Sequence, residues 1–231
     1  MNWRYDFLVI LVCFLCALSL SGGPASRQKS YNLLFMGEAT LVDTTPIRLW
    51  RMLQNGGVRV EIFNETRLGH DAWEYLQFMK ANYQRFQNLH PDVVIIALGY
   101  PDVSLTQEAI PAPKFYNATL NIIRLSKTLM NGTGQPSIVM ISTLPPVPPG
   151  ATSPPYPIAN RRIRAEINPL IRDLARRERI VCVDMSDINV AAAEQRSGLM
   201  ARHWYHTLMP YFGIHSAPTL RELWSGRFRA P

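Results

Sequence analysis

Five short apolar runs recur along the chain: Asn32–Met36, Val58–Phe63, Val93–Leu98, Ser137–Ser142 and Ile180–Met185. Each is five or six residues long, and most are rich in Val and Ile. Their apolar positions are continuous rather than alternating, which is how a strand covered on both faces reads. Between the runs the apolar residues recur three and four positions apart, the helical period. "TPIRLWRMLQN" begins after Thr44 and stops at Gly56–Gly57, a start and a stop signal. "DAWEYLQFMKANYQRFQNL" places Trp73, Leu76, Met79, Tyr83 and Phe86 near one face of a helix, and "NATLNIIRLSKTLMNG" closes on Asn-Gly. The span Ile158–Arg177 carries Ile163, Ile167, Leu170, Ile171 and Leu174 on one stripe, with Pro169 marking a kink or a restart. A last helix is predicted from Gly213 to Trp224. Strands alternating with helices predict an α/β fold with a five-stranded parallel sheet, right-handed crossovers and helices on both faces. Ligands of such sheets bind beyond the carboxyl ends of the strands, so the residues just after each run are the ones to read for chemistry.

The 231 residues suffice for one such domain, assigned to residues 31–231. Residues 1–30 are of a different kind. Phe7–Leu20, "FLVILVCFLCALSL", is apolar but for Ser19. Fourteen residues suit a signal-peptide core, with small residues in "GPA" at cleavage-like spacing. Extended to Trp3, with Arg4 snorkelling and Trp3 and Tyr5 at the interface, the segment is long enough for a thin bilayer. We read residues 3–21 as a retained membrane anchor, with a cleaved signal as the alternative. Arg27 and Lys29 follow the run while Asp6 offsets Arg4, which favours the domain on the cytosolic or matrix side. Three glycosylation sequons, at Asn64, Asn117 and Asn131, would be used only if the domain were lumenal. Their number is close to what this composition yields by chance.

Lys and Arg outnumber Asp and Glu by 24 to 17. The densest cluster is Arg161, Arg162, Arg164, Arg172, Arg176, Arg177 and Arg179, around one predicted helix. No aromatic or glycine-rich reader motif accompanies it, so it reads as a solvated helix face and not a nucleic-acid site. Three cysteines, Cys13, Cys16 and Cys182, are too few for a disulfide framework, and no metal site or cofactor is expected. "LPPVPPGATSPPYP" reads as a stiff loop over the domain rim.

The strand ends follow in order: Gly37-Glu38-Ala39-Thr40; Asn64 to Gly69; Gly99-Tyr100-Pro101-Asp102-Val103; Ser142-Thr143-Leu144-Pro145; and Val183-Asp184-Met185. His203, His206 and His215 stand near the C-terminus. This series resembles the SGNH (GDSL-type) hydrolase family, a three-layer, flavodoxin-like esterase and acyl-transfer fold. "ALGYPDV" looks like its Gly-x-Asn-Asp block, and "NPLIRDLARRERIVCVDMSD" is similar to its last crossover helix and strand. The resemblance spans Tyr31 to Trp224 and rests on the serial order of the blocks more than on any one of them.

The resemblance implies acyl transfer: a first-block serine attacks the carbonyl, and a histidine activates it, oriented by an aspartate three residues earlier. A second-block glycine N–H and a third-block asparagine hold the oxyanion. In this chain the serine position is Ala39 and the asparagine position is Pro101, while Gly69 matches the glycine. The histidine is matched by His206, which puts His203 where the acid belongs; the runner-up, His215, puts Phe212 there. Nucleophile, oxyanion amide and acid are all absent at these positions. The expectation is therefore a non-catalytic module with Glu38, Thr40, Asn64, Gly69, Asp102 and His206 lining an inert cleft. Its partners would be protein subunits of a membrane complex, with a mitochondrial inner membrane the favoured place. The alternatives are a secretory-pathway or secreted esterase or acyltransferase with a displaced nucleophile such as Thr40, and a ligand-binding module. Asp184 and Asp187 are read as turn residues, and His203-x-x-His206 lacks a third metal ligand.

Overall fold

The computed structural model describes residues 29–38, 44–103, 111–147, 156–190 and 192–213. The anchor segment, Ala39, Thr40, His215 and the helix expected from Gly213 to Trp224 lie outside the described residues, apart from Gly213 itself. All five strands form: β1 (Ser30–Glu38), β2 (Arg59–Arg67), β3 (Val93–Ala97), β4 (Ile138–Ser142) and β5 (Val181–Val183). They pair in parallel in the order β2-β1-β3-β4-β5, so the chain winds outward from β1 in both directions. β3 is buried at every position, which is the continuous apolar run translated into geometry.

Among the described residues, eight α-helices connect and flank these strands: α1 (Thr45–Asn55), α2 (Ala72–Ala81), α3 (Tyr83–Asn88), α4 (Tyr100–Val103), α5 (Ala112–Ser126), α6 (Tyr156–Arg162), α7 (Asn168–Glu178) and α8 (Ala193–Leu208). Successive β1 side chains point to opposite faces. Phe35 meets Trp204 of α8 edge-on at 6.4 Å on one face, while the Ser126 hydroxyl of α5 reaches the Met36 sulfur on the other. α1 and α8 pack together on the first side, and α2, α5 and α7 cover the second.

Three local findings differ from the periodicity. The long helix expected after Asp71 is two helices, broken at Asn82, whose side-chain amide donates to the Phe78 carbonyl at 2.9 Å. Its start is firm: Asp71 and Glu74 form a reciprocal capping box. The restart at Pro169 is prepared by a π-turn, Ile163–Ile167, in which the Asn168 N–H bonds Ile163 O, five residues back. Pro169, which has no N–H to offer, then falls in the first turn of α7. Finally, α8 was not predicted. It leads into a short 3-10 turn, Met209–Phe212, which ends at a left-handed Gly213; Gly213 closes that turn. Among the described residues no helix is long and apolar enough to cross a membrane.

Candidate functional site

The carboxyl ends of β1, β2 and β3 converge on Glu38, Gly69, Tyr100 and Asp102. Gly37 makes this convergence possible: its φ is +127°, and a Cβ there would lie 1.8 Å from the Ala97 carbonyl oxygen on β3. The next residue, Glu38, is fully buried. Its carboxylate Oε1 accepts a hydrogen bond at 3.2 Å from the backbone N–H of Gly69, which has a left-handed φ of +73°. The N–H that the resemblance assigns to the oxyanion is thus directed at an internal carboxylate.

Asp102 is also fully buried, and both its carboxylate oxygens accept from the Ala72 N–H at the start of α2. Burial pushes its carboxyl up to about 7, against the pull of that hydrogen bond, with the Asp71 charge adding to the rise. Arg162 of α6 donates to the Asp102 carbonyl at 3.0 Å, tying the third strand end to the basic helix. Asp102 is therefore a scaffold acid, spent on a helix terminus. Pro101 lies within the one-turn α4 and brings neither an amide side chain nor an N–H.

Two residues that the motif reading passed over complete this end. The Tyr100 hydroxyl donates to Pro145 O at 3.0 Å, and Arg196 of α8 reaches the same hydroxyl at 3.5 Å. Burial raises the phenol to about 12, with Arg196 opposing and Glu38 reinforcing the shift. Beyond β4, the Thr143 hydroxyl donates to Asp184 and accepts from the Met185 N–H. Asp184 takes two hydrogen bonds from one Arg172 nitrogen and a third from its Nε. Although burial works against it, hydrogen bonds from Ser186, Thr143 and Arg172 hold the Asp184 carboxyl well below the usual range. Asp184 is thus committed to its turn.

The proline loop is pinned from below. Buried Asn168 accepts from Leu144 N at 2.8 Å and donates to Leu144 O at 3.0 Å. Buried Asn160 makes the same pair with Val147. A loop of prolines has few N–H groups to form secondary structure, so these two side chains supply the missing partners.

The histidines lie elsewhere. α8 starts at the carboxyl end, where Ser197 meets Thr44 at 2.9 Å, and runs antiparallel to β1. Its far end is fixed by Phe212, whose ring packs at a tilt against Tyr31 near the start of β1, with the centroids 4.4 Å apart. Tyr205 points its hydroxyl at Gly56, just before β2 begins. His206, exposed and next to Tyr205, is thereby placed toward the amino ends of the strands, away from Glu38 and Gly69. Burial, with His203 and Arg202 nearby, lowers its imidazole below the ordinary value. His203 faces Asp187 at 4.0 Å. The expectation that His206 lines the same cleft as Glu38 and Gly69 is corrected by the course of α8.

Asn64 is exposed within the edge strand β2, and its side-chain oxygen accepts from the Thr66 hydroxyl at 2.8 Å. Asn131 is held by Thr133, Gln135 and Asp92, and Asn117 stands on the exposed side of α5. Much of the arginine cluster is paired, Arg162 with Glu166, Arg172 with Asp184, and Arg176 and Arg177 with Asp173. Among the described residues no group of three or more His, Cys, Asp or Glu side chains is arranged to hold a metal ion.

The fold is shared with solved structures. A carbohydrate acetylesterase family member from Sinorhizobium meliloti superposes with a TM-score of 0.58 at 15% identity, covering 79% of this chain and 99% of that one. The aryl esterase of M. smegmatis gives 0.57 at 15%, covering 77% and 99%, and TesA gives 0.55 at 15%, covering 78% and 98%. No curated protein matches the chain. The family profile described as GDSL-like lipase/acylhydrolase matches residues 38–215, from Glu38 at the first strand end to His215. Matched over most of its length, and folded with the same sheet, the chain belongs to the GDSL-like lipase/acylhydrolase family.

Proposed function

We propose that this member of the family is a non-catalytic module, anchored through residues 3–21 and serving as an accessory subunit of a membrane complex. The observation that carries the reading is the Glu38–Gly69 hydrogen bond. An oxyanion site works because its N–H groups are free to meet charge that develops on the substrate. Here one donor faces a resident, fully buried carboxylate, which would repel a second anion. Ala39 at the nucleophile position, Pro101 at the asparagine position and His206 toward the other end of α8 point the same way. Losing one member of a catalytic triad costs about three to four orders of magnitude or more in turnover. The combined loss leaves no route by that mechanism.

The family match and the esterases among its structural neighbours support the competing reading, hydrolysis through a displaced nucleophile such as Thr40 with His215 as base. A serine-directed fluorophosphonate separates the two. The folded full chain is expected to remain unlabelled. Stoichiometric labelling that disappears in Thr40→Val would establish the displaced nucleophile and end the non-catalytic reading. A mitochondrial inner membrane remains our favoured location, supported by the positive residues that follow the anchor. Glycan on Asn64 or Asn117 of the native protein would place the domain in a lumen instead.

A further inference from the structure

We infer that the amino end of the sheet is a cationic face that lies against an anionic lipid surface, with the carboxyl end turned away from it. The inference rests on the membrane-anchored reading above and adds an orientation and a lipid chemistry to it.

The first support is where the chain enters. Lys29 and Ser30 sit at the start of β1, so the segment that carries Phe7–Leu20 joins the domain at the amino end of the sheet. Nine residue steps separate Leu20 from Lys29, which at full extension span about 30 Å. A membrane holding Phe7–Leu20 is therefore within reach of this end first.

Charge is the second support. Arg59 opens β2 and Arg179 lies just before β5; both are exposed, and neither has an acidic partner among the described residues. Glu178, next to Arg179, is nearly enclosed and is shared by Arg124 and Lys127, two cations on one acid. Lys29 lies 3.6 Å from Asp92 and over the Tyr31 ring, with its side chain still more than half exposed. At the carboxyl end, by contrast, the exposed groups include the acids Glu74, Asp184 and Glu194. Asp184 and Glu194 face Arg172 and Arg48, so an anionic surface would attract the unpaired cations of the amino end more than the mixed charges of the carboxyl end.

The third support is Tyr211, 43% exposed beside Phe212 on the same end, an aromatic with a polar tip of the kind that settles at headgroup depth. An anchor fixes the domain near a bilayer but not its orientation, which basic residues close to an anionic leaflet can set. The amino end supplies those residues from the folded domain.

The test uses the full chain on vesicles of phosphatidylcholine alone, or with about one-third phosphatidylserine, each carrying a trace of lipid with a photoreactive headgroup. Crosslinked peptides are mapped by mass spectrometry after flotation. Peptides carrying Arg59 and Arg179 should crosslink about fivefold more on the anionic vesicles, and the excess should vanish in roughly 0.5 M salt. Arg59→Glu with Arg179→Glu should abolish the excess, and Arg59→Gln with Arg179→Gln should halve it, circular dichroism showing both variants folded. Crosslinks around Leu68 and Trp73, or equal crosslinking on neutral vesicles, overturn the orientation. Flotation with crosslinks confined to residues 3–21 overturns the cationic face while keeping the anchor. Failure to float overturns the anchor, and this proposal with it.

Discussion

The two ends of one parallel sheet hold their polar groups differently. At the carboxyl end the polar groups are already partnered: buried Glu38 with Gly69, buried Asp102 with Ala72, and exposed Asp184 with Thr143 and Arg172. At the amino end Lys29, Arg59 and Arg179 are exposed cations, and of these three Lys29 alone has an acidic partner among the described residues. A catalytic end needs the opposite of what the carboxyl end shows, namely donors and acids held ready and unspent. The comparison teaches that strand-end groups satisfied inside the fold hold the scaffold's shape, and, on the proposed reading, are not held ready for a substrate.

This contrast predicts where substitutions should hurt. The largest effect is expected for Asn168→Ala, which strips both backbone groups of Leu144 of their partner beneath the proline loop. It should cost about 3 kcal/mol in denaturant unfolding, and a loss under about 1 kcal/mol would show that the loop is held otherwise. Glu38→Ala should cost about 2 kcal/mol through a cavity and an orphaned Gly69 N–H. Glu38→Gln, which keeps an acceptor, should cost less than half of that. Equal losses in the two variants would mean that the Gly69 bond contributes nothing.

Asp102 gives a pH signature. Its carboxyl is raised to about 7 in the fold, so between roughly pH 4 and 7 the unfolded chain ionises while the folded one holds its proton. Stability should therefore fall as pH rises through that window, by at most about 1.4 kcal/mol per pH unit, and be flat in this respect above it. Asp102→Asn should remove the slope. Coincident pH profiles for the parent and the variant would show that Asp102 ionises freely. The smallest effect is expected at the other end of α8: His206→Ala should change stability by no more than about 0.5 kcal/mol and alter no activity.

The strands were legible because parallel strands buried on both faces are written as uninterrupted apolar runs, and all five appear where those runs lie. α1 was legible for the same kind of reason, since Thr44, Pro46 and Gly56–Gly57 bracket its stripe. α8 was not, although Met200, Ala201, Trp204, Tyr205 and Leu208 carry a helical stripe. It opens without a side-chain cap and holds Gly198, so neither its start nor its continuity is marked locally. That gap mattered, because His206, read as lining the cleft, belongs on a helix that descends the sheet. The split at Asn82 is also unmarked, being settled by a side-chain bond to the backbone, whereas Pro169 announced the restart that follows the π-turn. At the site, Glu38 and Gly69 were visible as positions, but their bond to each other depends on a crossing of two strand ends that no local pattern records.

The most direct test of the central claim is hydrolysis of a short-chain p-nitrophenyl ester by the purified full chain, measured beside Glu38→Gln and Ala39→Ser. The account predicts a rate equal to buffer for all three, because Gly69 keeps its internal acceptor in the parent and His206 stays toward the amino end of the sheet in every case. Turnover by the parent that scales with protein and is abolished by a fluorophosphonate would contradict it.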